Sequence, residues 1–165
     1  MENKLRSKTC CFPGHRNLSL SEKSLIEQKL EESVVGLIRR GVCYFGAGGA
    51  RGFDTLTAQT IIKLRETYSH IRLILVLPCK SQTRGWSEDD VRVYEAIRLM
   101  ADKVVYTSQE YSPDCMHKRN RHLVDHSGVC VCYLREGRGG TAYTVDYAQA
   151  QGLDIINIAP FQYNQ

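Results

Sequence analysis

Six short stretches punctuate this chain, at Thr9–Phe12, Val42–Phe45, Ile71–Leu77, Lys103–Tyr106, Val129–Leu134 and Asp154–Ile158, and most are apolar nearly throughout. A strand with one wet face alternates apolar and polar residues, whereas a strand covered on both faces does not. Five segments with helical spacing separate the stretches. Strands alternating with helices imply right-handed βαβ crossovers, which build a parallel sheet flanked by helices. The expected fold class is therefore α/β: a three-layer sandwich around a mostly parallel six-stranded sheet. At 165 residues the chain fits one domain, taken as 1–165, with room for a substantial core.

Helix boundaries can be read from local chemistry. Ser19 with Glu22 has capping-box spacing, and Leu25, Ile26, Leu30, Val34, Leu37 and Ile38 follow at helical intervals before Gly41, a suitable C′ residue. Ser87 with Asp90 has the same spacing before Val91, Tyr94 and Ile97. Ser112-Pro113 reads as an N-cap with proline at N1, and Thr141 as the cap of the last helix. The stretch from Pro78 to Trp86 is the longest expected loop.

Composition narrows the compartment and the partners. The charged start, Met1 to Arg6, lacks the apolar stretch of a signal peptide, and no run approaches the ~18 apolar residues that span a bilayer. A cytoplasmic protein with no membrane partner is expected. Seven scattered cysteines, several inside apolar runs, suit buried reduced thiols better than disulfides. A net charge of +4 mildly favours anionic ligands but is too small to argue for duplex nucleic acid.

Three loops carry the unusual residues. They are Pro13-Gly14-His15-Arg16, Gly46-Ala47-Gly48-Gly49-Ala50-Arg51-Gly52-Phe53-Asp54 and Gly137-Arg138-Gly139-Gly140-Thr141. Each follows the carboxyl end of a strand and leads into a helix, at the edge where open α/β sheets bind ligands. Glycines let backbone amides approach an anion, and a helix N-terminus adds a favourable dipole. One such loop can be a plain tight connection; three on one edge suggest a shared anion pocket. The second loop has Arg51 where a dinucleotide fingerprint needs Gly or Ala, and no Gly-Lys-Ser/Thr follows it. Neither hydride transfer nor ATP hydrolysis is indicated.

Met116, Arg119, Asn120 and Leu123 share one helical stripe. Arg119 and Asn120 on a sheet-facing stripe need partners; they either reach a ligand or brace neighbouring loops. Asp54 either caps its helix or accepts a hydrogen bond from a sugar hydroxyl. No four-ligand metal cluster is evident: His122 and His126 look solvated, and core packing accounts for Cys130 and Cys132. No metal is expected, no Gly-x-Ser-x-Gly elbow is present, and no cysteine has an evident base partner.

The ordered set Gly14-His15-Arg16, Gly49-Ala50-Arg51-Gly52-Phe53-Asp54, Trp86, Tyr94, Met116-x-x-Arg119-Asn120-x-x-Leu123-Val124-Asp125, Gly139-Gly140-Thr141-x-x-Thr144 and Tyr147-Ala148 resembles the YpsA-like branch of the SLOG superfamily. That superfamily also holds the LOG cytokinin-activating enzymes and the DprA/SMF DNA-processing proteins. The resemblance runs through nearly the whole chain. It implies a Rossmann-like fold that binds nucleotides or derivatives such as ADP-ribose, and a homodimer. LOG enzymes carry Pro-Gly-Gly-x-Gly-Thr-x-x-Glu, whose Glu assists N-glycosidic cleavage. Here Thr144 holds that position, and a hydroxyl cannot replace the carboxylate. Asp146 lies too far round the helix to substitute.

The expected function is thus binding or sensing of a nucleotide-derived, phosphate-bearing small molecule, without a required cofactor. Its ligand residues are Gly14, His15, Arg16, Gly48, Gly49, Arg51, Asp54, Arg119, Asn120, Gly139, Gly140, Thr141 and Thr144. The alternatives are a nucleotide N-glycosidase using Asp54, and single-stranded nucleic acid binding by analogy with DprA. The last is disfavoured because aromatics for base stacking are sparse.

Overall fold

The computed structural model describes residues 2–160. The chain runs α1 (Glu2–Arg6), β1 (Thr9–Cys11), α2 (Leu20–Arg39), β2 (Tyr44–Ala47), α3 (Phe53–Arg65), β3 (Arg72–Leu77), α4 (Glu88–Met100), β4 (Lys103–Tyr106), α5 (Cys115–Asp125), β5 (Val129–Cys132), α6 (Gly140–Ala150) and β6 (Asp154–Asn157). The strands form one sheet in the order β4-β3-β2-β1-β5-β6. Every pair is parallel, so the sheet is wholly rather than mostly parallel. This is the expected Rossmann-like α/β sandwich.

Position in the sheet explains strand composition. All four residues of β5 are buried, which matches its Val-Cys-Val-Cys sequence. The edge strands β4 and β6 begin with exposed Lys103 and Asp154, charges that discourage pairing with another chain. Alternate residues feed two cores. Phe12, Val131 and Tyr133 join Leu30, Phe45, Ile61 and Leu75 in a large cluster with α2, α3 and α4. Cys11, Cys130 and Cys132 join Val124, Val145 and Ala148 in a smaller cluster with α5 and α6. All seven cysteines are free thiols. Among the described residues no helix is long and apolar enough to cross a membrane.

Some expected boundaries differ from those observed. The short α1 adds a sixth helix to the five read from spacing. The second strand begins at Tyr44, not Val42. Ser87 does cap α4, accepting from Asp90 N–H at 3.1 Å. Ser19 does not make its half of a capping box; its hydroxyl donates to Glu22 Oε1 at 2.7 Å instead. The helix expected from Ser112-Pro113 begins at Cys115, with Asp114 at the N-cap, because Ser112 and Pro113 belong to a preceding turn closed by Cys115 N–H on Ser112 O. Thr141 lies inside α6, whose N-cap is Gly139 at φ 97°. Likewise Gly52, not Asp54, is the N-cap of α3.

From β1 to β4 the sheet grows in one direction; β5 then pairs on the other side of β1. The β1/β5 boundary is therefore the topological switch point, where diverging loops open a crevice.

Candidate ligand-binding site

A cavity of about 830 Å³ opens at that crevice. The loop after β1 contributes Gly14, His15 and Arg16, and the start of α3 contributes Asp54. Met116, Arg119, Asn120 and Leu123 all face it from α5, so the polar stripe looks onto the cavity. Gly140, Thr141 and Thr144 close it from α6.

Two loops interlock to form the floor. Phe53 N–H donates to the His15 carbonyl at 3.1 Å. Gly52, at φ 80°, sits against the backbone carbonyl of Arg16, where any Cβ would collide. Gly48 is not itself a lining residue but is packed behind the wall. A Cβ there would stand 2.6 Å from Arg119 Nη1 and 2.9 Å from Asp54 Oδ2. Arg119, only 4% exposed, donates through Nη1 to the Gly48 carbonyl and through Nε to Asn120 Oδ1 at 2.7 Å. Arg119 thus braces the β2–α3 turn while lining the cavity. Asp54 Oδ2 accepts the Ala50 N–H at 3.0 Å. Burial pushes the Asp54 carboxyl above its ordinary value, against the downward pull of the Arg119 guanidinium, the Ala50 amide and Arg16. Burial likewise lowers Arg119, opposed by Asp54.

His15 ties the two sides of the switch point. Its Nε2 accepts the Arg135 N–H at 3.0 Å, and its ring meets Tyr133 edge-on at 5.9 Å. Burial lowers its pKa, with Glu136 pulling up and Arg135 down. At the α6 entrance no side chain caps the first turn. The Thr144 hydroxyl is occupied internally, donating to the Gly140 carbonyl at 2.9 Å.

Gly49 and Arg51 line a second, adjoining cavity of about 330 Å³, which shares Arg16, Ala50 and Asp54 with the first. The Arg51 guanidinium lies 4.8 Å from the Trp86 ring centroid and 3.9 Å from Asp90. Gly139 lines neither cavity and precedes the wall residue Gly140. Sequence reasoning overlooked Cys11, Asn17, His117, Arg135 and Glu136 as walls of the larger cavity. Arg135 and Glu136 directly follow β5, so their place after a strand at the switch point was the available signal. Among the described residues, no group of three or more His, Cys, Asp or Glu could hold a metal ion.

The cationic groups are not equivalent. Arg119 is committed to its own turn. Arg135 pairs with Glu22 at 2.8 Å. Among the described residues Arg16 enters no ion pair or side-chain hydrogen bond. The cavity therefore presents one uncommitted guanidinium, the uncapped start of α6 and a polar carboxyl wall.

The YpsA family model, described as the YspA SLOG family, matches residues 11–159. The chain belongs to this SLOG family. Among curated proteins, the UPF0398 protein BH1768 of Halalkalibacterium halodurans is 31% identical over 89% of this chain and 79% of its own length. The SPbeta prophage-derived protein YoqJ of Bacillus subtilis is 28% identical over 75% of this chain and 80% of its own length. Among solved structures, DprA of Helicobacter pylori, described for its single-stranded DNA binding mode, superposes with a TM-score of 0.66 at 15% identity, over 99% of this chain and 70% of that one. DprA of Streptococcus pneumoniae superposes with a TM-score of 0.62 at 16% identity, over 92% of this chain. The SLOG chain spans half the length of that pneumococcal protein. At such identities the likeness is one of fold.

Proposed function

We propose that the larger cavity binds a phosphate-bearing nucleotide or nucleotide derivative and that the protein acts as a binding or sensing module. The observation that carries this reading is the convergence of Arg16, Asp54 and the start of α6 on one cavity at the switch point. Its volume of about 830 Å³ suits a small ligand. The phosphate would lie between the Gly140 and Thr141 amides and Arg16, where helix dipole and guanidinium both favour negative charge. Asp54 would accept a sugar hydroxyl, a role that suits a carboxyl better than phosphate contact does. A non-catalytic role is supported by Thr144, whose hydroxyl takes the position of the LOG carboxylate and is hydrogen-bonded internally.

Isothermal titration with adenine and guanine nucleotides, NAD and ADP-ribose tests this. At least one should bind, and Arg16→Ala should weaken it by about tenfold or more, some 1.4 kcal/mol. No binding by any of them defeats the reading. Release of free base from adenosine monophosphate, abolished by Asp54→Asn, would instead assign hydrolysis, with Asp54 as the working carboxyl.

A second reading is single-stranded nucleic acid binding, favoured by the fold shared with the H. pylori DprA. It requires oligonucleotide affinity that falls steeply with salt. The exposed Lys118 and Arg138 would supply phosphate contacts. Salt-insensitive or absent oligonucleotide binding removes it.

A further inference from the structure

We infer that the smaller cavity is the second half of the same site, so that the ligand is two-ended: a nucleotide carrying another flat ring or apolar group through its phosphate bridge. This rests on the proposed use of the larger cavity. The two cavities meet along one wall, made by Arg16, Ala50 and Asp54. Arg16 is the exposed member of that wall and enters no ion pair or side-chain hydrogen bond among the described residues, so a bridging phosphate group would lie on its guanidinium and leave Asp54 to a sugar hydroxyl.

The smaller cavity has a different chemistry. Its floor includes Leu56, Leu75 and Ile97, all buried. Trp86 forms one wall, with the Arg51 guanidinium over its ring at 4.8 Å and the Tyr94 ring nearly perpendicular to it at 5.6 Å. Leu20, 90% exposed, and Val93 stand at its lining without apolar cover. A volume of about 330 Å³ accommodates one ring system, not a whole nucleotide. Planar walls of this kind favour flat ring partners through stacking and apolar contact.

Trp86 is the single tryptophan of the chain and reports directly on this half of the site. The test titrates the wild-type chain with adenosine diphosphate and with diadenosine diphosphate, which share the two phosphates and differ by a second adenosine, following heat and Trp86 emission together. Diadenosine diphosphate is expected to bind at least about tenfold more tightly and to change the emission, while adenosine diphosphate binds without changing it. Val93→Phe, which fills the mouth of the smaller cavity at an exposed position, should erase the advantage of the two-ended probe. Equal affinities, unchanged emission, or an advantage that survives Val93→Phe overturn the two-ended site but leave the larger cavity's role intact. Absence of binding by both probes, and by every other nucleotide, overturns the larger-cavity reading and this one with it.

Discussion

At Gly48 the chain has no room for a methyl group, because a guanidinium and a carboxylate close on it from different helices. The glycine-rich turn after β2 reads in sequence as an anion loop. Its crowding has a second cause, the insertion of Arg119 from α5 onto the Gly48 carbonyl. Gly48→Ala should therefore force Arg119 or Asp54 to shift and lower stability by about 1–3 kcal/mol, measurable by denaturant unfolding. An unchanged midpoint would mean that the turn yields freely and Arg119 is no brace. Arg119 itself was conspicuous in the sequence, a charged residue on a sheet-facing stripe. Which partner satisfied it was not, since the Gly48 carbonyl lies 71 positions away in the chain.

Helix ends show which local signals survive folding. After α2, Gly41 N–H bonds to Ile38 O and Val42 N–H to Leu37 O, both at 3.0 Å, which is the paired pattern of a Schellman cap. Gly41 stands at φ 101° in open space, so its cost to any other residue is conformational, not steric against neighbours. Gly41→Ala should destabilise by about 1 kcal/mol, with Gly41→Asn recovering part of it, by thermal or denaturant melts. The Ser87 cap and the Gly41 stop were legible because each depends on residues a few positions apart. The starts of α3 and α6 were misplaced because glycines in positive-φ geometry took the capping positions that Asp54 and Thr141 seemed to claim.

Across the whole molecule, the two halves of the sheet meet at β1 and β5, and His15 links their loops through the Arg135 N–H. That bond needs an unprotonated Nε2. Burial lowers the His15 pKa from 6.5, so the unfolded chain takes up this proton at a higher pH than the folded chain. The stabilisation is complete above pH 6.5 and is lost as the pH falls below it toward the lowered folded value. His122, also lowered by burial, acts in the same direction. Melting temperature should fall on acidification from neutral pH, and His15→Asn should reduce that slope while leaving the His122 share. An identical slope in the variant would show that the link contributes nothing to acid sensitivity.

The sequence by itself determined the order of strands and helices, the parallel sheet and the edge at which the loops gather. These follow from apolar runs without alternation and from short-range spacing, both recorded locally along the chain. Only the tertiary structure decided how the chosen residues divide. Gly14 and Gly140 face the larger cavity; Gly49 and Arg51 face the smaller; Arg16 and Asp54 line both, and Gly48 is packed behind the wall. That division depends on the strand order, which places β5 beside β1 and swings α5 over the β2–α3 turn. Contacts between residues far apart in the chain leave no periodic trace in it, so the direction each loop side chain takes is fixed only when the layers pack.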